Sequence, residues 1–342
     1  MNSKIKRVLV TSLGVLVTVF FLWLFLKEIE LDELSEAVFS LSLSVVVLAL
    51  LFLAIDYFFR IVRWWLMLKV VDKDISLKSC AWPFLVSIAV NNIIPFRAGD
   101  AVRVIGFRKQ LNAPMMRLLS TLMIERVLDL MALLFFFFVF VRGIRIESIP
   151  SFFIDMASLI AICGVICIIA TLLFTEKLQV LINYIADLSY FVKKGWGEKI
   201  RKHSNHFLEP ILLLRTPKLL IMMLILSLLV WTLEGVVFVT ITSAISPEAE
   251  LSAGMFSLSL STLATLLPSS PGYVGTFDYF AMLGLVAYGV SKLSASAIAL
   301  TVHFILWLPL TLSGLLYLLG PGEKSIRKQI ASDISLSKLD DK

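Results

Sequence analysis

Charge is scarce in this chain, and the residues on which metal and hydrolytic chemistry usually rest are scarcer. Charged residues make up 16% of 342, against 59% hydrophobic, with three histidines and three cysteines. So little charge leaves no room for a large soluble domain. The longest polar interval, about 175–218, is shorter than an ordinary catalytic module and suits surface helices. Cys80 lies in an apolar segment, and Cys163 and Cys167 are one helical turn apart without acidic or histidine neighbours. All three are therefore expected to be buried hydrophobes outside any disulfide framework. The chain contains no His-Glu-x-x-His motif, no Gly-Lys-Ser/Thr phosphate loop and no nucleophile beside a base. These absences argue against metal hydrolases, ATP-driven pumps and covalent catalysis, and no cofactor or nucleic-acid partner is implied. What remains is an all-α, multi-pass membrane protein.

Apolar runs supply its framework. Lys4, Lys6 and Arg7 precede a run from Val8 to Leu26 that is too long for a signal peptide and lacks a small-residue cleavage site, so a retained first span is expected. Glu28 to Ser42 is acidic, with Leu31, Leu34, Val38 and Leu41 at helical spacing, and reads as an amphipathic helix on the outer surface. Ser44 to about Leu68 is the second span. Its far end carries Arg60, Arg63, Lys69, Lys73 and Lys78, which by the positive-inside bias faces the cytoplasm.

The next apolar segment breaks at Asn91-Asn92-Ile93-Ile94-Pro95-Phe96-Arg97-Ala98-Gly99-Asp100 and restarts with Arg97, Arg103, Arg108, Lys109 and Arg117, again a cytoplasmic signature. A single crossing cannot begin and end on one side. Ser79 to about Gln110 is therefore expected to be a re-entrant hairpin turning near Pro95, because a break in hydrocarbon survives only where protein or a wet cavity satisfies the freed backbone. Leu118 to Val141 crosses outward and Phe152 to Phe174 crosses back. The interval with Lys193, Lys194, Lys199, Arg201 and Lys202 is cytoplasmic, and Leu178, Leu181, Ile182, Ile185 and Leu188 give it an apolar stripe beside anionic lipid. Leu219 to Ser243 crosses outward. A second break follows at Leu267-Pro268-Ser269-Ser270-Pro271-Gly272-Tyr273-Val274-Gly275-Thr276-Phe277-Asp278, flanked by Leu251–Leu267 and Phe277–Val290. Parity lets this pair be two full spans or a hairpin. Leu293 to Leu319 returns to a cytoplasmic tail, 321–342, so both termini are placed in the cytoplasm. The hairpin option makes two halves match, about 1–145 and 146–320, as an inverted repeat offset by roughly 175 residues, with about six full spans and two hairpins, eight to ten membrane segments in all.

Ionisable residues inside these segments are costly and mark candidate sites. Asp56, Arg60 and Arg63 share one face of the second span. Glu125, Arg126 and Asp129 lie in the third, Glu234 in the fifth and His303 in the last. Asp56 with Arg60 and Arg126 with Asp129 have the spacing of helix-locking pairs. Arg60, Arg63, Arg97, Arg103 and Arg126 together exceed the acids expected beside them, and guanidinium suits bidentate phosphate contact, although Arg63, Arg97 and Arg103 also fit ordinary anchoring at the cytoplasmic surface. The restarts after Pro95 and Pro271 offer helix N-termini to an anion, and Gly99, Gly272 and Gly275 would let a headgroup approach the backbone. Asn91 and Asn92 fit headgroup contact or capping. Asp100, Asp278 and His303 complete the set, as charge balance, proton coupling or, for the histidine, hydrogen-bonded packing.

Taken in order, Arg60-Ile-Val-Arg63-Trp64, the Asn91-to-Arg103 run, Glu125-Arg126-Val-Leu-Asp129 and Leu267-to-Gly275 resemble the lysylphosphatidylglycerol synthase transmembrane-region family, from about Ile55 to Leu319. In its two-part members such a region is thought to move a charged phospholipid between leaflets while a separate soluble domain makes the aminoacyl ester. This chain resembles the membrane region alone, so the synthase activity is not carried over. Where family members often have Gly-x-x-Glu after the second turn, this chain has Gly275-Thr276-Phe277-Asp278. The resemblance implies a transporter or flippase of an anionic phospholipid or lipid-linked headgroup in a prokaryotic cytoplasmic membrane. Arg60, Arg97, Arg103 and Arg126 would hold phosphate, and Asp100, Glu125, Asp129, Glu234 and Asp278 would balance them. The alternatives are a non-transporting partner of a lipid synthase or glycosyltransferase and a lipid-modifying enzyme.

Overall fold

A computed structural model of the protein describes residues 16–27, 29–69, 74–94, 97–141, 159, 177, 179–187, 196–213, 216–267 and 269–320. Among them the regular elements are all helical. The fourth expected span with Cys163 and Cys167, the basic cluster at Lys193 and Lys194, the tail, and Pro95 and Pro268 lie outside the described residues.

Three helices have the length and apolarity to cross a membrane: α3 (Leu43–Lys69), α9 (Pro217–Ile245) and α12 (Lys292–Leu319). At 1.5 Å per residue each is about 40 Å long, more than a hydrocarbon core of about 30 Å. Helix α6 (Met115–Phe140) is nearly as long but carries Arg117, Glu125, Arg126 and Asp129, so its stability in lipid depends on turning three of them inward. A short apolar helix, α1 (Leu16–Leu26), and a surface helix, α2 (Leu31–Phe39), precede α3. Helix α2 buries Leu34 and leaves Leu31 and Phe39 exposed, so the amphipathic stripe read from the sequence is only partly covered, against α12.

Both breaks form as hairpins of short limbs. The first runs down α4 (Leu77–Ile93), capped at its start by the Ser76 hydroxyl, and returns through α5 (Ala98–Ala101) and a π-helical turn, Val102–Gly106. The second runs along α10 (Leu251–Ala264), turns through a 3-10 segment, Pro271–Tyr273, and returns as α11 (Thr276–Val286). With 14 and 11 residues, α10 and α11 reach only about 21 and 17 Å, too short to cross. Packing sets these limbs between the long helices: α4 lies on α12, α10 on α6, and α3 on α9. Gly314 of α12 faces the Leu85 carbonyl and Ala89 of α4, where no side chain fits, so the backbones approach as small residues allow in membrane interfaces.

Two further helices pack on each other, and the second of them lies against α6. Residues 179–187 (α7) join α8 (Trp196–Leu213) through Gln179 to Asn205 at 2.6 Å and an Arg201–Asp187 ion pair, and Glu209 of α8 holds Arg117 at 2.9 Å. Leu181 and Ile185 of the expected apolar stripe are exposed.

Candidate functional site

Almost all the intramembrane charge converges on one network between α3, α6, α9 and the two hairpins. Asp56 and Arg60, one turn apart on α3, bond through Nε at 2.8 Å, and Arg60 Nη2 reaches Glu234 of α9 at 2.6 Å. The Arg60 guanidinium lies over Trp231, 4.4 Å from the ring centroid, and near Tyr57 at 5.5 Å. Arg63 pairs with Asp129 at 2.7 Å and donates to Ser227 Oγ at 2.7 Å, while Trp231 donates to Asp129 at 3.0 Å. Arg103 meets Glu125 with two parallel bonds of 3.1 and 3.2 Å and is flanked by Trp64 and Phe84, each 4.8 Å away. In a low-dielectric interior such pairs persist only when nearly every charge finds a partner.

One guanidinium is different from these. Arg126 bonds both oxygens of Asp100, at 2.9 and 3.1 Å, yet its side chain is 34% exposed, against 2% for Arg103. A second departs further. Arg97, at the tip of the first hairpin, has no carboxylate within ion-pair distance among the described residues; its Nε donates to Tyr273 Oη at 3.3 Å. Its backbone is left-handed, φ 52°, and so is that of Tyr273 at the opposing tip, φ 59°. Left-handed non-glycine residues are strained and persist where their surroundings hold them.

The two tips enclose a cavity of about 190 Å³. Arg60, Arg97, Arg126, Glu234 and His303 supply its ionisable walls, with Asn91, Asn92, Thr262 and Thr265 as neutral polar groups and Tyr57, Trp231, Tyr273, Phe277 and Trp307 as aromatic ones. Thr262 Oγ1 is buried with no partner among the described residues. His303 Nε2 contacts the Gly272 carbonyl at 2.8 Å and Nδ1 contacts Asp278 Oδ1 at 2.6 Å. A carbonyl oxygen only accepts, so Nε2 carries hydrogen, and the Nδ1 contact then requires one further proton, on the ring or on the carboxyl. The pair is a clamp between α12 and the second hairpin.

The family described as lysylphosphatidylglycerol synthase TM region matches residues 11–314. The chain belongs to this family. It is also similar to the UPF0104 membrane protein PH1989 of Pyrococcus horikoshii, 21% identical over 334 residues, 92% of this chain and 97% of the relative. The UPF0104 membrane protein MJ1078 of Methanocaldococcus jannaschii is 23% identical over 228 residues, 66% and 91% of the two chains. Membership and the apolar helices make this a membrane protein.

In this member of the family several expectations change. Four of the five arginines are paired, Arg60 with both Asp56 and Glu234, Arg63 with Asp129, Arg103 with Glu125 and Arg126 with Asp100, and only Arg97 lacks a carboxylate among the described residues. Arg63 and Arg103 are neither surface anchors nor cavity walls, because both are buried and locked. Asp56 does pair with Arg60. Arg126 and Asp129, by contrast, are 3.9 Å apart, since each has a closer partner on another helix. The helix restarts are not free anion sites: Gly99 N–H donates to Asn91 Oδ1 and Gly275 N–H to Asp278 Oδ2, both at 2.8 Å. Gly99 and Gly275 serve close packing, against α4 and against Thr18 and Leu22 of α1, whereas Gly272, φ 69°, lines the cavity. Asn91 also donates to Asp100 at 3.0 Å, and Asn92 to Thr311 at 2.9 Å, so both asparagines fix the hairpin as well as facing the cavity.

The aromatic walls were missed by looking for charge alone. Tyr57 lies three residues before Arg60, Trp231 three before Glu234 and Trp307 four after His303. Helical spacing from each ionisable residue would have found them.

Proposed function

We propose that the protein moves an anionic phospholipid or lipid-linked headgroup between leaflets, with the phosphate held by Arg97 and Arg126 in the cavity between the hairpin tips. The observation that carries this reading is Arg97, a partly buried cation at a strained tip with no paired carboxylate, facing the same cavity as the exposed part of Arg126. An anion entering there gains two guanidinium partners and the unpaired Thr262 hydroxyl without breaking the locked Arg63 and Arg103 pairs. Arg60, already held by Asp56 and Glu234, sets the cavity's potential more than it binds.

Alternating access needs a site reachable from both sides, and an inverted repeat supplies one. Contacts between corresponding residues support the repeat. Arg60 and Glu234 are 174 residues apart, Arg97 and Tyr273 are 176 apart, and each pair touches. Corresponding positions meet only near a two-fold axis, so the axis would run through the cavity. Asp100 with Arg126 and Asp278 with His303 are likewise matching pairs, each joining a hairpin return to the next long helix. The packing of α4 on α12 and α10 on α6 is the same exchange at the level of helices.

Leaflet exchange of labelled anionic, zwitterionic and glycosylated lipids in proteoliposomes tests the reading. Headgroup-selective exchange is expected, falling at least tenfold in Arg97→Ala and further in Arg126→Ala at unchanged protein abundance. Absence of exchange across the panel by correctly folded protein would instead favour a non-transporting partner of a lipid synthase or glycosyltransferase.

A further inference from the structure

A second hollow, of about 260 Å³, adjoins the central cavity and has a different character. Val274, Asp278, Leu300, His303, Phe304 and Trp307 line it. Leu300, His303, Phe304 and Trp307 follow the i, i+3, i+4, i+7 spacing of one face of α12, and Val274 comes from the tip of the second hairpin. Val274 and Phe304 are 42% and 61% exposed, so the hollow opens outward beside apolar side chains. His303 and Trp307 line both spaces. On one side of these two rings are Arg97, Arg126 and the neutral polar groups among aromatic walls; on the other are Val274, Leu300 and Phe304 with the buried Asp278 carboxylate.

Hydrogen bonds hold this partition in place. His303 joins the Gly272 carbonyl to Asp278, and Trp307 Nε1 donates to the Asn92 carbonyl at 3.3 Å. Gly272 has no side chain where a Cβ would lie 2.9 Å from that indole nitrogen, so the ring can sit flush against the tip.

We infer that the outer hollow is a lateral portal that takes the acyl chain of the lipid whose headgroup occupies the central cavity, with His303 and Trp307 as the wall between them. A cavity of about 190 Å³ has room for a headgroup and not for its chains, which must remain in hydrocarbon. The continuity of the two hollows across shared side chains fixes where they would leave. The inference rests on the transport reading above. Its occupant is the bound lipid's own chain; an annular lipid lying against α12 has the same chemistry, and the test separates them.

The full-length protein is reconstituted in vesicles containing phosphatidylglycerol with a photoactivatable diazirine in mid-chain, and adducts are mapped by mass spectrometry alongside leaflet exchange of the same lipid. The wild type is expected to carry adducts at Val274, Leu300 and Phe304 that fall at least fivefold in Arg126→Ala, while adducts at Leu316, a lipid-facing residue further along α12, do not change. Leu300→Trp, which fills the hollow, is expected to slow exchange about tenfold, and Leu316→Trp to leave it unaltered. Adducts at Leu300 and Phe304 as insensitive to Arg126→Ala as those at Leu316 identify annular lipid and overturn the portal, and so does Arg126-dependent exchange unaffected by Leu300→Trp. In both cases transport itself stands. If the wild type exchanges none of the lipid panel, the transport reading fails and the portal with it.

Discussion

The two hairpins use the same plan with different chemistry at the tip and in the clamp. In the first, the restart acid Asp100 is held by Arg126, and the tip residue is Arg97; in the second, Asp278 is held by His303, and the tip residue is Tyr273. The first hairpin therefore has two permanent cations where the second has a phenol and an imidazole. The two tips and their clamps differ in charge while sharing a plan. Under the transport function proposed above, this difference would give anion recognition to the first hairpin and release to the second, whose clamp contains one shareable proton. The locked pairs Arg63–Asp129 and Arg103–Glu125 stand apart from both, since removing one partner would strand a buried charge at a cost of about 3–5 kcal/mol.

Converting the first clamp into the second should have the largest effect. Arg126→His replaces a cation fixed at every working pH by one that exists only when protonated. Exchange of an anionic lipid should fall by an order of magnitude or more at pH 8 and recover in part as pH falls through the imidazole range, because the cation is regained on protonation. The wild-type rate measured over the same range supplies the baseline. A variant equally inactive at all pH values, with normal abundance, would show that guanidinium geometry matters more than charge.

Much of this plan was legible in the chain because hydrocarbon makes its constraints strict. A proline-broken apolar run too short to cross had to be buried against protein, and the short helices flanking the two breaks, α4 with α5 and α10 with α11, do pack against each other. Charged residues at helical spacing had to face inward, and Asp56, Arg60, Glu125 and Glu234 are buried. Pairing was less legible. Spacing within one helix favoured Arg126 with Asp129, but their closer partners, Asp100 and Arg63, come from other elements whose approach no local pattern encodes. The glycines misled for a related reason: a missing side chain signals close approach without saying whether ligand or backbone does the approaching, and at Gly99 and Gly275 it is backbone.

Removing the second clamp should have an intermediate effect. His303 faces Asp278 and the Gly272 carbonyl, and the cavity it borders also contains Arg60, Arg97, Arg126 and Glu234. Loss of the shared proton would set a bare ring nitrogen against a carboxylate and loosen the hairpin tip, so wild-type exchange is expected to rise only at alkaline pH, since the carboxylate keeps the proton on the pair through the ordinary imidazole range. His303→Gln keeps an amide donor for Gly272 but does not titrate. Its rate should differ from the wild type by about three- to tenfold and be flat with pH; a pH profile identical to the wild type would remove His303 from the releasing step.

The contact between the tips should matter least. Tyr273→Phe deletes the hydroxyl that accepts from Arg97 Nε at 3.3 Å, a long hydrogen bond, and leaves the ring and the left-handed backbone as they are. A neutral acceptor at that distance contributes about 1 kcal/mol or less. If Tyr273 only parks the Arg97 side chain between turnovers, freeing that side chain costs little in the bound state and helps the anion compete for it. Apparent affinity for an anionic lipid should then tighten by up to about fivefold, with the maximal exchange rate within twofold of the wild type. Weaker affinity would instead mean that Tyr273 orients Arg97 toward the headgroup, and the second hairpin would then share in recognition.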